Sequence, residues 1–390
     1  MPDPSVPPPT SIPPLSESGD SNGAGSASEE IPSRPAYSST SRLNEWLRAL
    51  VSYGGSDLLL VPGAPACIRF EGEIRNFEEP PLEGADIEAA VIPALTPHAL
   101  ELYRRTRIGD SSYRVDGMGR FRINLHHQRG TAAAAIRALP SQVPTIREIE
   151  LPLSVESLAH LRRGLVLVGG ATGSGKSTTL AALIEEVNRH VARHIITIED
   201  PIEYEHFHNK SVVEQVEIGV DASDFPTALR AALRQAPDII VVGEMRDPET
   251  MRIALAAAET GHLVLSTVHT TDVASTVSRI SDSFPLERQQ TIRQELAMAL
   301  AAVMVQTLLQ AKNGGQVAAA ELLMVGYGAR QHIRHNALQH LHQEITMTKN
   351  KGSFTLEESL MQLVNRDLID RETAELHAVH AEDLKSLLRS

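Results

Sequence analysis

Residues 170–177 read GATGSGKS, which fits the spacing G-x-x-x-x-G-K-[ST]. The flanks suit it: the strand-like run LVLV comes before and the helical run TTLAALIEEVNR after. Gly170, Gly173 and Gly175 let the backbone curl so that its N–H groups face an anion. The start of the following helix adds partial positive charge. The candidate phosphate cradle is therefore Gly170, Ala171, Thr172, Gly173, Ser174, Gly175, Lys176, Ser177 and Thr178. Lys176 has the type and position to bridge β- and γ-phosphates, and Ser177 to hold Mg²⁺. A glycine turn without a ligand is the bland alternative, and the matching flanks on both sides argue against it. The loop predicts ATP or a related triphosphate. It does not name the work, since kinases, translocases, helicases and motors share it.

Hydrolysis needs a positioned water and a neutralised phosphate. A doubly wound sheet presents carboxylates for this at the C-terminal ends of its strands. Two strand ends qualify. IITIEDPIEYE carries Glu199, Asp200, Glu203 and Glu205, and DIIVVGEMRD carries Glu244 and Asp247. In the second, Gly243 stands where an aspartate usually precedes the metal-side glutamate. About half of these carboxylates are expected to be plain loop charges. His262 and His269 bracket the strand HLVLSTVH, and His269 at its far end is positioned to sense the γ-phosphate or water. The run HIRHNALQHLH holds His332, His335, His340 and His342 but no matching carboxylate or cysteine set, so it is not read as a metal site.

The elements that must hold these groups follow from the pattern. Apolar strand-like runs at Leu165–Val168, His194–Ile198, Asp238–Val242 and Leu263–Val268 alternate with helical runs such as Leu180, Leu183, Ile184 and Val187. That is the signature of crossover units around a mostly parallel sheet, hence an α/β core. Before it, Leu43, Trp46, Leu47 and Leu50 have helical spacing. The short runs Asp57–Val61, Ala66–Phe70 and Gly119–Leu125 read as strands between glycine and proline turns. The expected layout has five parts. Residues 1–41 form a disordered tail with nine prolines and eleven serines, and 42–140 a small α+β domain. A linker spans 141–152, within the segment Pro140–Pro152 that carries three prolines, followed by the ATPase core 153–328 and a helical region 329–390. Pro4–Pro9 is a possible PxxP ligand, though a plain flexible tail explains the composition.

Composition sets limits. The chain has 390 residues and a net charge of −13, which argues against an obligate nucleic-acid binder. One cysteine, Cys67, excludes a disulfide framework and a cysteine zinc site within one chain. The longest apolar run, Leu296–Val305, falls short of a membrane span and reads as a buried helix. No secretory signal pattern is visible at the N-terminus, so a cytoplasmic location is the expectation.

Four motifs in order resemble a known family. LRQAPDIIVVGEMRD, Leu233–Asp247, resembles the signature of the type II/type IV secretion and pilus ATPases at every specified position. IEDPIEY resembles its Asp box and TGHLVLSTVHT its His box. The phosphate loop is the fourth, and the resemblance runs over about residues 42–385. SDLLLVPGAPACIRFEGEI and GRFRINLHHQRG resemble parts of the retraction branch's N-terminal domain. ARQHIR at 329–334 resembles that branch's C-terminal motif at Arg330, Ile333 and Arg334 only. Ala171, Leu59 and Ser266 also depart from its usual residues, which are proline, histidine and glycine.

The resemblance implies a RecA-like P-loop NTPase domain, a smaller PAS-like N-terminal domain and a helical C-terminal segment. It implies that Glu203 polarises the attacking water, that Glu244 sits on the metal side with Ser177, and that His269 lies near the active site. It further implies a cytoplasmic homo-hexamer, peripheral at the inner membrane, that acts on a membrane platform protein and retracts a type IV pilus in twitching motility. A paralogous retraction ATPase is a further expected partner. An arginine from a neighbouring N-terminal domain would complete each site, with Arg122, Arg129 and Arg137 as candidates. The alternatives are a pilus assembly or type II secretion ATPase, an accessory retraction paralogue, a nucleic-acid translocase and a catalytically dead ring subunit. The single cysteine speaks against the assembly class, which usually carries a tetracysteine zinc element.

Overall fold

The computed structural model describes residues 41–389. The expected disorder and the PxxP reading fall outside these, except that Ser41 opens a helix. The chain divides into two compact units, with the boundary between Ser141 and Gln142.

The first unit opens with α1 (Ser41–Ser52). Leu43, Trp46, Leu47 and Leu50, the stripe read from spacing, are all fully buried. Six strands follow: β1 (Asp57–Leu60), β2 (Cys67–Phe70), β3 (Glu73–Asn76), β4 (Ile108–Val115), β5 (Gly119–Gln128) and β6 (Thr131–Ala138). They form one antiparallel sheet in the order β3-β2-β1-β6-β5-β4. Helices α2 (Gly84–Val91) and α3 (Pro97–Thr106) lie between β3 and β4 in sequence. The alanine-rich β6 would form a helix by propensity alone, but pairing with β1 and β5 overrides it. Its small side chains also let α2 come close. A Cβ on Gly84 would lie 3.1 Å from the Ala132 nitrogen.

The second unit holds a seven-stranded sheet in the order β13-β12-β7-β11-β10-β8-β9. The strands are β7 (Gly164–Gly169), β8 (His194–Glu199), β9 (Val212–Glu217), β10 (Ile239–Val242), β11 (Leu263–Val268), β12 (Leu300–Gln310) and β13 (Gln316–Met324). All neighbours run parallel except β12 and β13. β7, β10 and β11 are buried along their whole length. Alternate side chains then feed two separate cores: Leu165, Leu167, Ile240 and Val242 enter one, and Val166, Val168, Ile239 and Val241 the other. This is why these strands read as unbroken apolar runs.

The crossover helices are α4 (Lys176–His190), α5 (Phe225–Ala232), α6 (Pro248–Glu259), α7 (Val273–Asp282) and α8 (Leu286–Ala299). The chain ends in α9 (Tyr327–Arg334), α10 (Leu341–Met347), α11 (Leu356–Asn365), α12 (Arg371–His377) and α13 (Ala381–Leu387). Arg330 on α9 donates to the Ala297 and Met298 carbonyls and so caps the C-terminal end of α8. Among the described residues no helix is long and apolar enough to cross a membrane.

Two expectations are corrected. The run Leu296–Val305 is not one buried helix: α8 stops at Ala299, and Leu300–Val305 belongs to β12 between β7 and β13. A run that is apolar at every position has no period, so neighbours decide its form. The segment 141–152 is not a free linker either. Ile146 and Leu151 are buried in the second unit's core, and Glu150 pairs with Arg366.

The doubly covered sheet predicts a large cost for cavities at its centre. Leu167→Ala should lower the stability of the second unit by about 2–5 kcal/mol, read as a shift of its urea unfolding midpoint.

Candidate functional site

The order of the sheet separates β7 from β8 by two inserted strands, β11 and β10. Such a reversal of strand order opens a crevice at the C-terminal strand ends. The loop after β7, the turn after β8, the turn after β10 and the end of β11 all open on that side. They carry the phosphate loop, Glu199–Glu205, Glu244 and His269 respectively.

The phosphate loop is shaped by crowding. A Cβ on Gly170 would lie 2.2 Å from Ser174 Oγ and 2.6 Å from the Gln306 carbonyl oxygen, and its φ is 152°. Gly173 and Gly175 have φ of 79° and 85°, the left-handed region that glycine tolerates. From β12, Gln306 donates to the Ser174 carbonyl at 2.6 Å and accepts from Thr179 Oγ1 at 2.8 Å. Lys176 folds over the loop, and its ammonium donates to the Gly170 and Ala171 carbonyls, both at 2.8 Å. Burial pulls Lys176 below the usual lysine range, while the Glu244 and Glu203 carboxylates act against that shift. Both acids are therefore near enough to feel the lysine. Ala171, Thr172, Gly173 and Ser177 are exposed at the mouth. Ser174 Oγ is buried without a hydrogen-bond partner.

These features suit a triphosphate: a backbone cradle without side chains, one ammonium and a 15-residue helix starting at the loop. Hard oxygen donors at Ser177 and Glu244 suit Mg²⁺.

Glu244 is held in place from β11. Ser266 Oγ donates to the Val242 carbonyl at 2.7 Å, and Thr267 Oγ1 to the Gly243 carbonyl at 2.6 Å. Ser266, the departure from the usual glycine, is thus fully satisfied in the sheet. Gly243 leaves little room for the usual aspartate, since a Cβ there would meet the Ile198 carbonyl oxygen at 3.3 Å. The Glu244 carboxylate pairs with His269 Nε2 at 3.5 Å and with Arg246 at 2.5 Å. His269 Nδ1 lies 3.5 Å from Thr172 Oγ1 of the phosphate loop.

Glu203 sits in a loop held by β9. Gln215 donates to the Tyr204 carbonyl at 2.8 Å and accepts from the His206 N–H at 2.8 Å, and Glu217 accepts from the Ile202 N–H at 3.2 Å. Tyr204 Oη also meets Thr178 Oγ1 at 3.0 Å, which links this loop to α4. Glu199 accepts from Thr197 and Gln215 and from the Glu203 backbone N–H, and burial pushes its carboxyl up. The Glu203 carboxylate has no hydrogen-bond or ion-pair partner among the described residues.

Other candidates separate out. Asp247 caps α6, accepting from Thr250 N–H at 2.9 Å and from its hydroxyl at 2.5 Å. His262 meets the Ala257 carbonyl at 3.0 Å at the opposite end of β11. Arg122, Arg129 and Arg137 all belong to the first unit. Arg137 pairs with Asp57 at 2.8 Å, whereas Arg122 and Arg129 are exposed and make no ion pair among the described residues.

Sequence reasoning missed Gln306 and Gln215. A lone glutamine inside the apolar run of β12 was the available signal for the first. Gln215 carried none, because polar residues alternate along β9. Glu321 on β13 was missed as well. Its Oε1 accepts the Val273 N–H at 2.9 Å, which anchors the chain just after His269.

A family profile described as type II/IV secretion system protein matches residues 134–389. The chain is 42% identical over 332 residues to the type IV pilus retraction ATPase PilT of Pseudomonas aeruginosa, covering 85% of this chain and 96% of that one. It is 36% identical to the type IV pilus ATPase PilU of the same organism, covering 88% and 90%. A crystal structure of the pilus retraction motor PilT with bound ADP superposes with a TM-score of 0.79 at 41% identity, covering 88% of this chain and 98% of that one.

Two outcomes are expected. Gly170→Ala should keep the fold by circular dichroism but weaken binding of a fluorescent ATP analogue at least about tenfold, because the loop must open. Burial first, then the Asp272 and Glu357 carboxylates, hold Glu321 up at about 7. The native state then keeps a proton that the unfolded chain releases near the ordinary glutamate value of 4.5. Stability should fall as pH rises from about 4.5 to 7. The loss in melting temperature between pH 5 and pH 8 should be smaller in Glu321→Gln than in the wild type.

Proposed function

The chain belongs to the type II/IV secretion system protein family, and from that premise we propose that it hydrolyses ATP to power retraction of a type IV pilus. The observation that carries the reading is the gathering of Glu203, Glu244 and His269 around a buried Lys176, within a chain similar to a retraction ATPase across both units.

The roles follow from the chemistry. The amides of Gly170–Thr178 and the Lys176 ammonium bind the triphosphate tail of the substrate. Ser177 and Glu244 would hold Mg²⁺, which would supply charge neutralisation on the triphosphate. Glu203, with its free carboxylate, orients the attacking water and takes its proton. Gln215 and Glu217 keep that loop in register. His269 bridges Thr172 and Glu244, so a change at the phosphate mouth reaches the metal-side acid through one ring.

We further assign the chain to a homo-hexamer at the cytoplasmic side of the inner membrane, acting on a pilus platform protein. Of the three candidates, Arg122 and Arg129 make no ion pair among the described residues and can serve a neighbouring subunit's site, while Arg137 is engaged by Asp57. An arginine supplied in trans contributes about 10³–10⁵ in rate, so assembly would gate hydrolysis. The single Cys67 cannot form the tetracysteine element that the family resemblance attaches to assembly ATPases. The similarity to PilU supports a second reading, an accessory retraction ATPase working beside a paralogue.

Phosphate-release assays test the site. Lys176→Ala should lose nucleotide binding, whereas Glu203→Gln should bind normally and lose about 10²–10⁴ in turnover. Wild-type turnover in either variant refutes the assignment. Deleting the gene should leave cells hyperpiliated and unable to twitch; bald cells would indicate assembly instead.

A further inference from the structure

Away from the nucleotide site, His342, His380 and Asp383 bring their ligand atoms within 4.8 Å of one another, the one such group of three among the described residues. His342 is on α10, which Leu341 and Ile345 seat with 1% exposure each. His380 is the N-cap residue of α13 and Asp383 follows it by three, so both project from one side of that helix's first turn. The imidazoles of His342 and His380 face each other with ring centroids 4.1 Å apart.

The segment that presents His380 is fixed from beneath. Glu357, 1% exposed, accepts the backbone N–H groups of Val379 at 3.1 Å and His380 at 2.8 Å through the same oxygen. The donors are thus held on two elements without needing an ion to order them. His342 and His380 also line a cavity of about 250 Å³. Thr271, Gln306 and Glu321, from the strands and loop that support the phosphate cradle, line the same cavity.

We propose that His342, His380 and Asp383 bind a divalent transition-metal ion of the zinc class, tying α13 to α10. Two imidazoles and one carboxylate favour zinc, cobalt or nickel over magnesium or calcium, which prefer all-oxygen shells. Three protein donors leave a fourth position for water. The ion is therefore separable from the Mg²⁺ of the nucleotide site, whose donors are hydroxyl and carboxylate oxygens. The rings of His332 and His340, with centroids 5.1 Å apart, belong to no such group of three among the described residues, although His332 Nε2 lies 3.4 Å from Glu344.

The test uses the full chain, stripped with chelator and free of nucleotide. Calorimetric titration with zinc chloride should show one saturable equivalent per chain and a rise in melting temperature. His342→Ala, His380→Ala and Asp383→Asn should each weaken binding at least about tenfold, and His335→Ala, on a histidine outside the cluster, should not. Cobalt(II) in the wild type should give the intense visible bands of a four- or five-coordinate site. That readout needs no variant to fold. Absence of saturable zinc binding, zinc binding that survives all three substitutions, or the weak spectrum of six-coordinate cobalt would each overturn the proposal.

Discussion

The end of β7 has no room for side chains, and the site depends on that. A Cβ on Gly169 would lie 2.7 Å from Thr270 Oγ1 and 2.9 Å from Thr276 Oγ1, and one on Gly170 would meet the Gln306 carbonyl. The strand end is wedged between the exit of β11 and the middle of β12. The backbone after it must turn where it does. A two-sided parallel sheet supplies the pressure, because β7 is buried on both faces and cannot move to relieve it.

Charge is arranged around that turn with little slack. Lys176 is buried and leans on two carbonyls of its own loop. Glu203 and Glu244 approach it from two other strands. Glu199 lies beside Glu203, whose backbone N–H it accepts, and burial pushes its carboxyl up. The carboxylate left without a hydrogen-bond partner among the described residues is the one proposed to orient the water, while the buried one holds the loop. Strand β9, at the sheet edge, contributes no chemical group and yet fixes the loop through Gln215 and Glu217.

Two departures from the family pattern, Ser266 and Gly243, have local physical accounts. Ser266 gains a carbonyl partner on β10, so a hydroxyl replaces a hydrogen without leaving an unsatisfied group. Gly243 faces the crowded edge of β8. Arg330, one of the three matching positions of the C-terminal motif, caps α8 with its guanidinium, so part of that motif is also structural. Nothing in the structure explains Leu59 or Ala171.

The sequence by itself determined the phosphate loop, the parallel core and the acids at its strand ends. These are local properties: a glycine string with one lysine specifies its own turn, and strands buried on both faces must be apolar throughout. Tertiary structure alone decided the rest. It made Leu300–Val305 a strand, because an unbroken apolar run fits helix or strand until neighbours pair with it. It turned Asp247 into a helix cap and Gln306 into the clamp on the loop. It also packed part of the presumed linker into the core and brought His342 against His380. Apart from the Asp247 cap, whose partner Thr250 is three residues on, each of these depends on a partner distant in sequence, and no spacing along the chain encodes such a contact.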